Sequence, residues 1–115
     1  MLQLTTNNKH NPGASYYIQT LARIKSDNII IATDEPKHSI IHEIAKSYPN
    51  CKILNLDMIK TIQFASTCKN VILSHGSFSA IIGYLSYYST IYYPKYDKNH
   101  MWYGDMFSID GWIQV

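Results

Sequence analysis

The residues of this chain that are best suited to chemistry form one short polar run between an apolar segment and a helical pattern. This run comprises Ser74, His75, Gly76, Ser77, Phe78 and Ser79. Gly76 allows a ligand to approach the backbone closely, and Ser77 is the predicted N-cap of the helix. The first N–H groups of a helix lack partners within it and carry partial positive charge. The run therefore predicts a phosphate site, although such a turn is also suited simply to capping a helix.

The elements that must position this run alternate between strand and helix patterns. Strands are predicted at Leu2 to Leu4, Asn28 to Ala32, Lys52 to Leu54, Val71 to Leu73 and Thr90 to Tyr93. Helices are predicted from Ala14, Pro36, Asp57 and Ser77, the last with Phe78, Ile81, Ile82 and Leu85 on its buried side. Continuous apolar strands that alternate with helices favour a parallel sheet covered on both faces. The predicted fold is a three-layer α/β/α Rossmann-like domain with a mainly parallel sheet of about four to five strands.

The carboxyl ends of such strands meet at one edge of the sheet, where ligands bind. Three groups are predicted at that edge: the acidic segment at Asp34 and Glu35, the carboxylate of Asp57, and the run at 74–79. Their convergence favours a binding site over a lone motif. Asp34 and Glu35 are also suited to a paired acid site, but the favoured interpretation is that they cap the helix that follows Pro36 and interact with its dipole.

Length and composition indicate a single domain over residues 1–115, with 46% hydrophobic residues. No apolar run has the length of a membrane span, and no secretion signal is recognised, so a cytoplasmic protein is expected. The net charge of +2 comes from scattered lysines, and Arg23 is the single arginine, so nucleic acid is not an expected partner. Cys51 and Cys68 are predicted to be reduced core thiols.

Histidine and aromatic residues supply the remaining candidates. His38 and His42 have metal-compatible spacing on a helix, but no acidic third ligand lies nearby in sequence, and no metal is expected. The aromatic tail at 95–115 is suited to lining an acceptor groove, to packing, or to contact with a partner. Self-association or a completing chain at this tail is therefore a further expectation.

The stretch from Asp57 to Leu85 resembles the second half of the alpha-1,2-fucosyltransferases of glycosyltransferase family 11. The resemblance rests on an aspartate that opens a helix, a cysteine at the helix end, an apolar strand and a Ser-x-x-Ser-Phe-Ser element at 74–79. It extends outward to the strand that ends at Thr33-Asp34-Glu35, to Pro94-Lys95 after the last strand, and to Trp112 near the end.

This resemblance implies a GDP-fucose-dependent transferase of two-domain GT-B type that needs no metal or other cofactor. The chain would supply the donor-binding half, with GDP-fucose as donor substrate and a glycan as acceptor. Ser77, Phe78 and Ser79 would hold the phosphates and the neighbouring sugar, and Asp57 would contact the nucleoside. No residue is assigned as catalytic.

The sequence departs from the family at several motif positions. The family's arginine, which pairs with the donor diphosphate, has no counterpart here, and Gln3 is the candidate for its position. His75 and Gly76 replace an Asn-Ser pair, and Ala80 and Ile81 replace two tryptophans. A protonated His75 would partly replace the arginine, whereas a neutral His75 would simply serve the turn. The alternative function is therefore a catalytically inactive nucleotide-binding or structural remnant of such an enzyme.

Overall fold

Four helices and six short strands alternate along the chain in the computed structural model, which describes residues 12–26, 28–96 and 105–115 and the backbone of 2–3. The strands are β1 Leu2–Gln3, β2 Ile30–Ala32, β3 Lys52–Leu54, β4 Asn70–Ile72, β5 Thr90–Tyr93 and β6 Ile113–Gln114. The helices are α1 Ala14–Ile24, α2 Ser39–Ser47, α3 Met58–Ala65 and α4 Ser77–Leu85. The mixed α/β class predicted from the sequence is confirmed.

The strands pair in parallel in the order β3-β2-β1-β4-β5-β6. β1 joins two halves of this arrangement, because Leu2 pairs with Ile31 of β2 on one side and with Ile72 of β4 on the other. Five strands were predicted at close to their observed positions, and β6 is an addition. It pairs with β5 in register from Tyr92 to Ile113.

The buried apolar residues form two clusters. These clusters lie on opposite faces of the strands, because neighbouring residues of a strand point to opposite sides. Ile72 of β4 belongs to the first cluster, and Val71 and Leu73 belong to the second. The first cluster is completed by Tyr17 and Leu21 of α1, Ile31 of β2, and Ile41 and Ile44 of α2. The second contains Ala65 of α3, Ala80 and Ile82 of α4, Ile91 of β5, and Phe107. Helices therefore cover both faces.

One predicted helix cap and one predicted helix start are wrong. Gly76, and not Ser77, is the N-cap of α4, and its φ of 111° and ψ of 162° form a conformation that is essentially restricted to glycine. α2 begins at Ser39, beyond the predicted start at Pro36. Its cap is His38, whose Nδ1 accepts a hydrogen bond from the Ile40 N–H at 3.2 Å. Asp34 and Glu35 therefore do not cap this helix.

The predicted buried side of α4 is also partly wrong. Ile82 is buried as expected, but Ile81 and Leu85 are 43% and 41% exposed. The inner face carries small residues instead, among them Ala80 and Gly83. A helix with no charged residue gives no polar stripe from which its outer face can be recognised.

The aromatic tail packs against α4 and β5 where it is described. Phe107 is fully buried, with its ring stacked on Tyr93 at a centroid distance of 6.0 Å. The Trp112 ring lies against Gly83 and, at 5.5 Å between centroids, against Tyr84. The part of the tail at 97–104 lies outside the described residues. Packing therefore accounts for the described aromatic rings of the tail.

Two further sequence-based expectations concern cysteines and membranes. Cys51 and Cys68 are free thiols, but both are half-buried and only partly belong to the core. Within the described ranges, none of the helices combines the length and apolarity needed to cross a membrane.

Candidate functional site

A cavity of about 420 Å³ opens at the carboxyl edge of the sheet. Its walls come from the end of β2, the connection between β3 and α3, and the turn between β4 and α4. The lining residues are Ala32, Thr33, Asp34, Leu56, Met58, Thr61, His75, Gly76, Ser77, Phe78 and Ser79. Its volume falls within the range of about 300–1,000 Å³ that is typical of small-molecule sites. Two of the three groups expected at this edge line the cavity, namely the segment with Asp34 and most of the run at 74–79, whereas Asp57 does not.

The turn between β4 and α4 and the first turn of α4 supply five consecutive lining residues. Strand β4 ends at Ile72, Leu73 and Ser74 follow, and Gly76 then reverses the backbone so that the helix begins at Ser77. The first bond within the helix runs from the Ala80 N–H to the Gly76 carbonyl at 3.2 Å. No described side chain caps the helix. The N–H groups of Ser77 and Phe78 therefore have no helical acceptor, and the helix dipole makes this end of the cavity attractive to anions.

Six of the eight predicted donor-site residues line the cavity. They are Asp34, His75, Gly76, Ser77, Phe78 and Ser79. Ser79 is buried, whereas Ser77 and Asp34 are exposed. His75 is 7% exposed, and its ring meets the edge of the Tyr96 ring at a centroid distance of 6.1 Å. These positions are compatible with ligand contact, and the assigned roles remain predictions.

The other two predicted residues do not line the cavity. Asp57 caps α3: its Oδ1 accepts a hydrogen bond from the Lys60 N–H at 2.8 Å, and its Oδ2 lies 3.8 Å from the Lys60 Nζ. Its neighbours Leu56 and Met58 form part of the wall, so Asp57 lies close to the mouth. Ser74 is fully buried and lies near Tyr17 of α1. Burial raises the pKa of Tyr17 well above its ordinary value.

Sequence reasoning predicted Phe78 as a site residue but missed Leu56 and Met58, which complete the apolar wall of the cavity. Leu56 and Met58 flank Asp57, and Phe78 follows Ser77, so three apolar side chains border the space beside the polar turn. Met58 was assigned to the helix pattern, yet it is 60% exposed. The position of Met58 in the first turn of α3 was a usable signal, because an apolar residue there lies at the end of the packed layer, next to the edge of the sheet.

The charge of the cavity wall is low. Asp34 is the one acidic residue among the described lining residues, and neither lysine nor arginine lines the cavity within the described ranges. Arg23 lies exposed on α1. The features of this wall that favour an anion are therefore the start of α4 and the hydroxyl donors.

No group of three or more His, Cys, Asp or Glu side chains with metal-binding geometry occurs among the residues that the structure describes. His38 is engaged in capping α2.

Comparisons with protein-family models, with curated proteins and with solved structures give no match to this chain. The resemblance to the alpha-1,2-fucosyltransferases therefore rests on the motif residues themselves. The positions of those residues around one cavity carry the functional argument.

Proposed function

We propose that this chain is a nucleotide-sugar-binding domain similar to the donor-binding half of a GDP-fucose-dependent alpha-1,2-fucosyltransferase. The observation that carries the proposal is the cavity, because six residues predicted from the motifs line it together. A helix start, hydroxyl groups and an apolar wall are the three kinds of surface that a nucleoside diphosphate sugar needs.

The strand arrangement supports a three-layer Rossmann-like domain as the fold. All the described strands are parallel. From β1 the chain adds β2 and β3 on one side and then β4, β5 and β6 on the other, so the order of addition switches sides between β1 and β4. In Rossmann folds, ligands bind beyond the carboxyl ends of the strands next to such a switch. β4 leads directly into the turn that lines the cavity, as this placement requires.

The walls divide the ligand into two parts. The diphosphate would accept hydrogen bonds from the N–H groups of Ser77 and Phe78 and from the Ser77 hydroxyl. The nucleoside or sugar would pack against Leu56 and Met58. The Asp34 carboxylate repels phosphate, so Asp34 would instead accept a hydrogen bond from an N–H or hydroxyl group of the nucleoside.

In a transferase reaction, an acceptor hydroxyl would attack the anomeric carbon of the donor, and the bond to GDP would break. GDP leaves with the bonding electron pair, and the acceptor's proton passes to a base. Donors aimed at the diphosphate stabilise the charge that develops on it. The start of α4 is oriented for this role.

Binding without turnover is the second candidate, and the low charge of the wall favours it. A departing diphosphate is usually paired with arginine or lysine, and none lines the cavity as described. Gln3 pairs in register with Ala32, which does line the cavity. The position proposed for the family's arginine therefore lies on a strand next to the site.

Calorimetric titration with GDP and GDP-fucose tests binding, with UDP and free fucose as comparison ligands. A Ser77→Ala, Ser79→Ala double variant should bind GDP about 10- to 100-fold more weakly, because a hydrogen bond to a charged group contributes about 1.5–3 kcal/mol. Ser39→Ala is the matched control, since Ser39 also begins a helix but lies away from the cavity.

Two further measurements separate the candidates. Release of GDP in the presence of a galactose-terminated acceptor would identify an active transferase, whereas binding without release would identify a remnant. Gln3→Arg should tighten GDP binding if the register with the family's arginine strand is correct. Failure of GDP and GDP-fucose to bind at all would refute the donor-site proposal.

A further inference from the structure

The outer side of α4 and the turn after it carry exposed apolar side chains. We define the apolar face as Ile81, Tyr84, Leu85, Tyr87 and Tyr88. The first three follow the i, i+3, i+4 spacing of one helix side. Tyr87 and Tyr88 are 78% and 97% exposed. No Asp, Glu, Lys or Arg occurs between Lys69 and Lys95, so the helix that carries this face brings no charge to it.

The helices on the opposite side of the sheet differ from α4. Arg23 is exposed on α1, and Glu43 and Lys46 are exposed on α2. No large hydrophobic side chain with high exposure occurs on these two helices. Water is therefore the natural environment of α1 and α2, whereas the apolar face has the composition of a surface that contacts protein.

The apolar face is smaller than a standard interface and is partly preorganised. An aromatic side chain buries about 150–250 Å², so these five side chains offer on the order of 600 Å². A standard interface takes about 800 Å² from each partner, and weak interfaces take less. Tyr84 is held in place because its hydroxyl donates a hydrogen bond to the Met106 carbonyl at 2.6 Å and its ring lies against Trp112. Little side-chain entropy remains to be lost there on association.

We propose that the apolar face is the interface of a homodimer, with a second copy of this chain as the occupant. A two-fold interface sets one patch against itself, which an uncharged patch tolerates and a charged patch resists. A different protein would normally be selected by complementary charges, and α4 offers none. An interface below the standard size is typical of weak association, so we expect a weak dimer.

Sedimentation velocity from about 1 to 300 µM tests this proposal on the full chain. The wild type should shift from monomer to dimer over this range. Leu85→Glu should weaken the dimer at least about 30-fold, because it places a charge within an apolar contact. Ala22→Glu is the control on the exposed side of α1 and should leave the equilibrium unchanged.

A mixing experiment keeps the test independent of any folding defect. Leu85→Glu and Leu85→Lys should each be monomeric alone, and their equimolar mixture should form a heterodimer because the opposed faces then carry opposite charges. A wild type that stays monomeric at 300 µM overturns the proposal. So does association that Leu85→Glu leaves intact, a mixture that fails to associate, or growth beyond the dimer. GDP binding is measured separately, so its outcome does not bear on this result.

Discussion

Replacing Gly76 with alanine tests whether the geometry of the β4–α4 turn creates the binding site. Gly76 has φ 111° and ψ 162°, and a Cβ added there would meet nothing within 4 Å. The substitution therefore causes no steric clash with neighbours. Its whole effect comes from a backbone conformation that alanine rarely adopts.

The size of the effect follows from two opposing contributions. Strain at such a conformation costs about 1–3 kcal/mol, and the lower entropy of the unfolded alanine chain returns about 0.4–1 kcal/mol. A net loss of about 1–2 kcal/mol is expected. For a domain of this length, this lowers Tm by roughly 4–8 °C. The turn relieves part of this strain by shifting, which rotates the N–H groups of Ser77 and Phe78 away from the cavity, so GDP binding should also weaken at least about 10-fold.

Gly13→Ala is the matched control. Gly13 is the N-cap of α1 with φ 88° and ψ 161°, it also has open space around its would-be Cβ, and it does not line the cavity. Both variants should lose similar stability in thermal unfolding followed by circular dichroism. Calorimetry should then show weakened GDP binding for Gly76→Ala alone. Equal GDP affinity in the two variants would refute the assignment of the binding site to this turn.

Two further predictions concern stability. Gly83→Ala places a methyl group 2.7 Å from Trp112 Cζ2 and 3.0 Å from Leu73 Cδ1. Urea unfolding should show that Gly83→Ala lowers the free energy of unfolding by about 1–2 kcal/mol, despite the better helix propensity of alanine. A variant more stable than the wild type would contradict this packing. Burial and the hydrogen bond to Asp105 raise the pKa of Tyr96 to about 12, above its unfolded value near 10. This contribution to stability is complete below pH 10 and is lost as the pH rises toward 12, so Tyr96→Phe should flatten the alkaline fall in Tm over that interval. If Tm falls with pH as steeply in Tyr96→Phe as in the wild type, the raised pKa of Tyr96 does not contribute to alkaline unfolding.

The sequence predicts much of the fold because its signals are local. Four of the β-strands have apolar runs flanked by polar turns, and Asp57 caps α3 as its side chain and position indicate. α1 ends at Ile24 with Lys25 as its C-cap, close to the predicted end near Lys25. The cavity was also predictable, because its polar residues follow the ends of strands that must share an edge.

The remaining features depend on tertiary packing and left no local signal. β6 is two residues long and exists because it pairs with β5. The inner face of α4 was misassigned because the helix is apolar all round, and Trp112 fills the space that Gly83 leaves. His38 replaced the expected acidic residues as the cap of α2 because the chain turns once more after Pro36 before the helix begins. The pairing of β6 and the inner face of α4 therefore depend on contacts between residues that are distant in sequence.

α4 brings the proposed site and the proposed interface onto one element of nine residues. The cavity uses its first turn, whereas the apolar face lies at its last turn and beyond. The two activities should therefore be separable: Leu85→Glu should abolish association and keep GDP binding, and Gly76→Ala should do the reverse. If each variant lost both activities, the cavity and the apolar face would form one cooperative unit, since a helix this short depends on its contacts for stability. Dimer formation would then be a condition for the binding site and not an independent property.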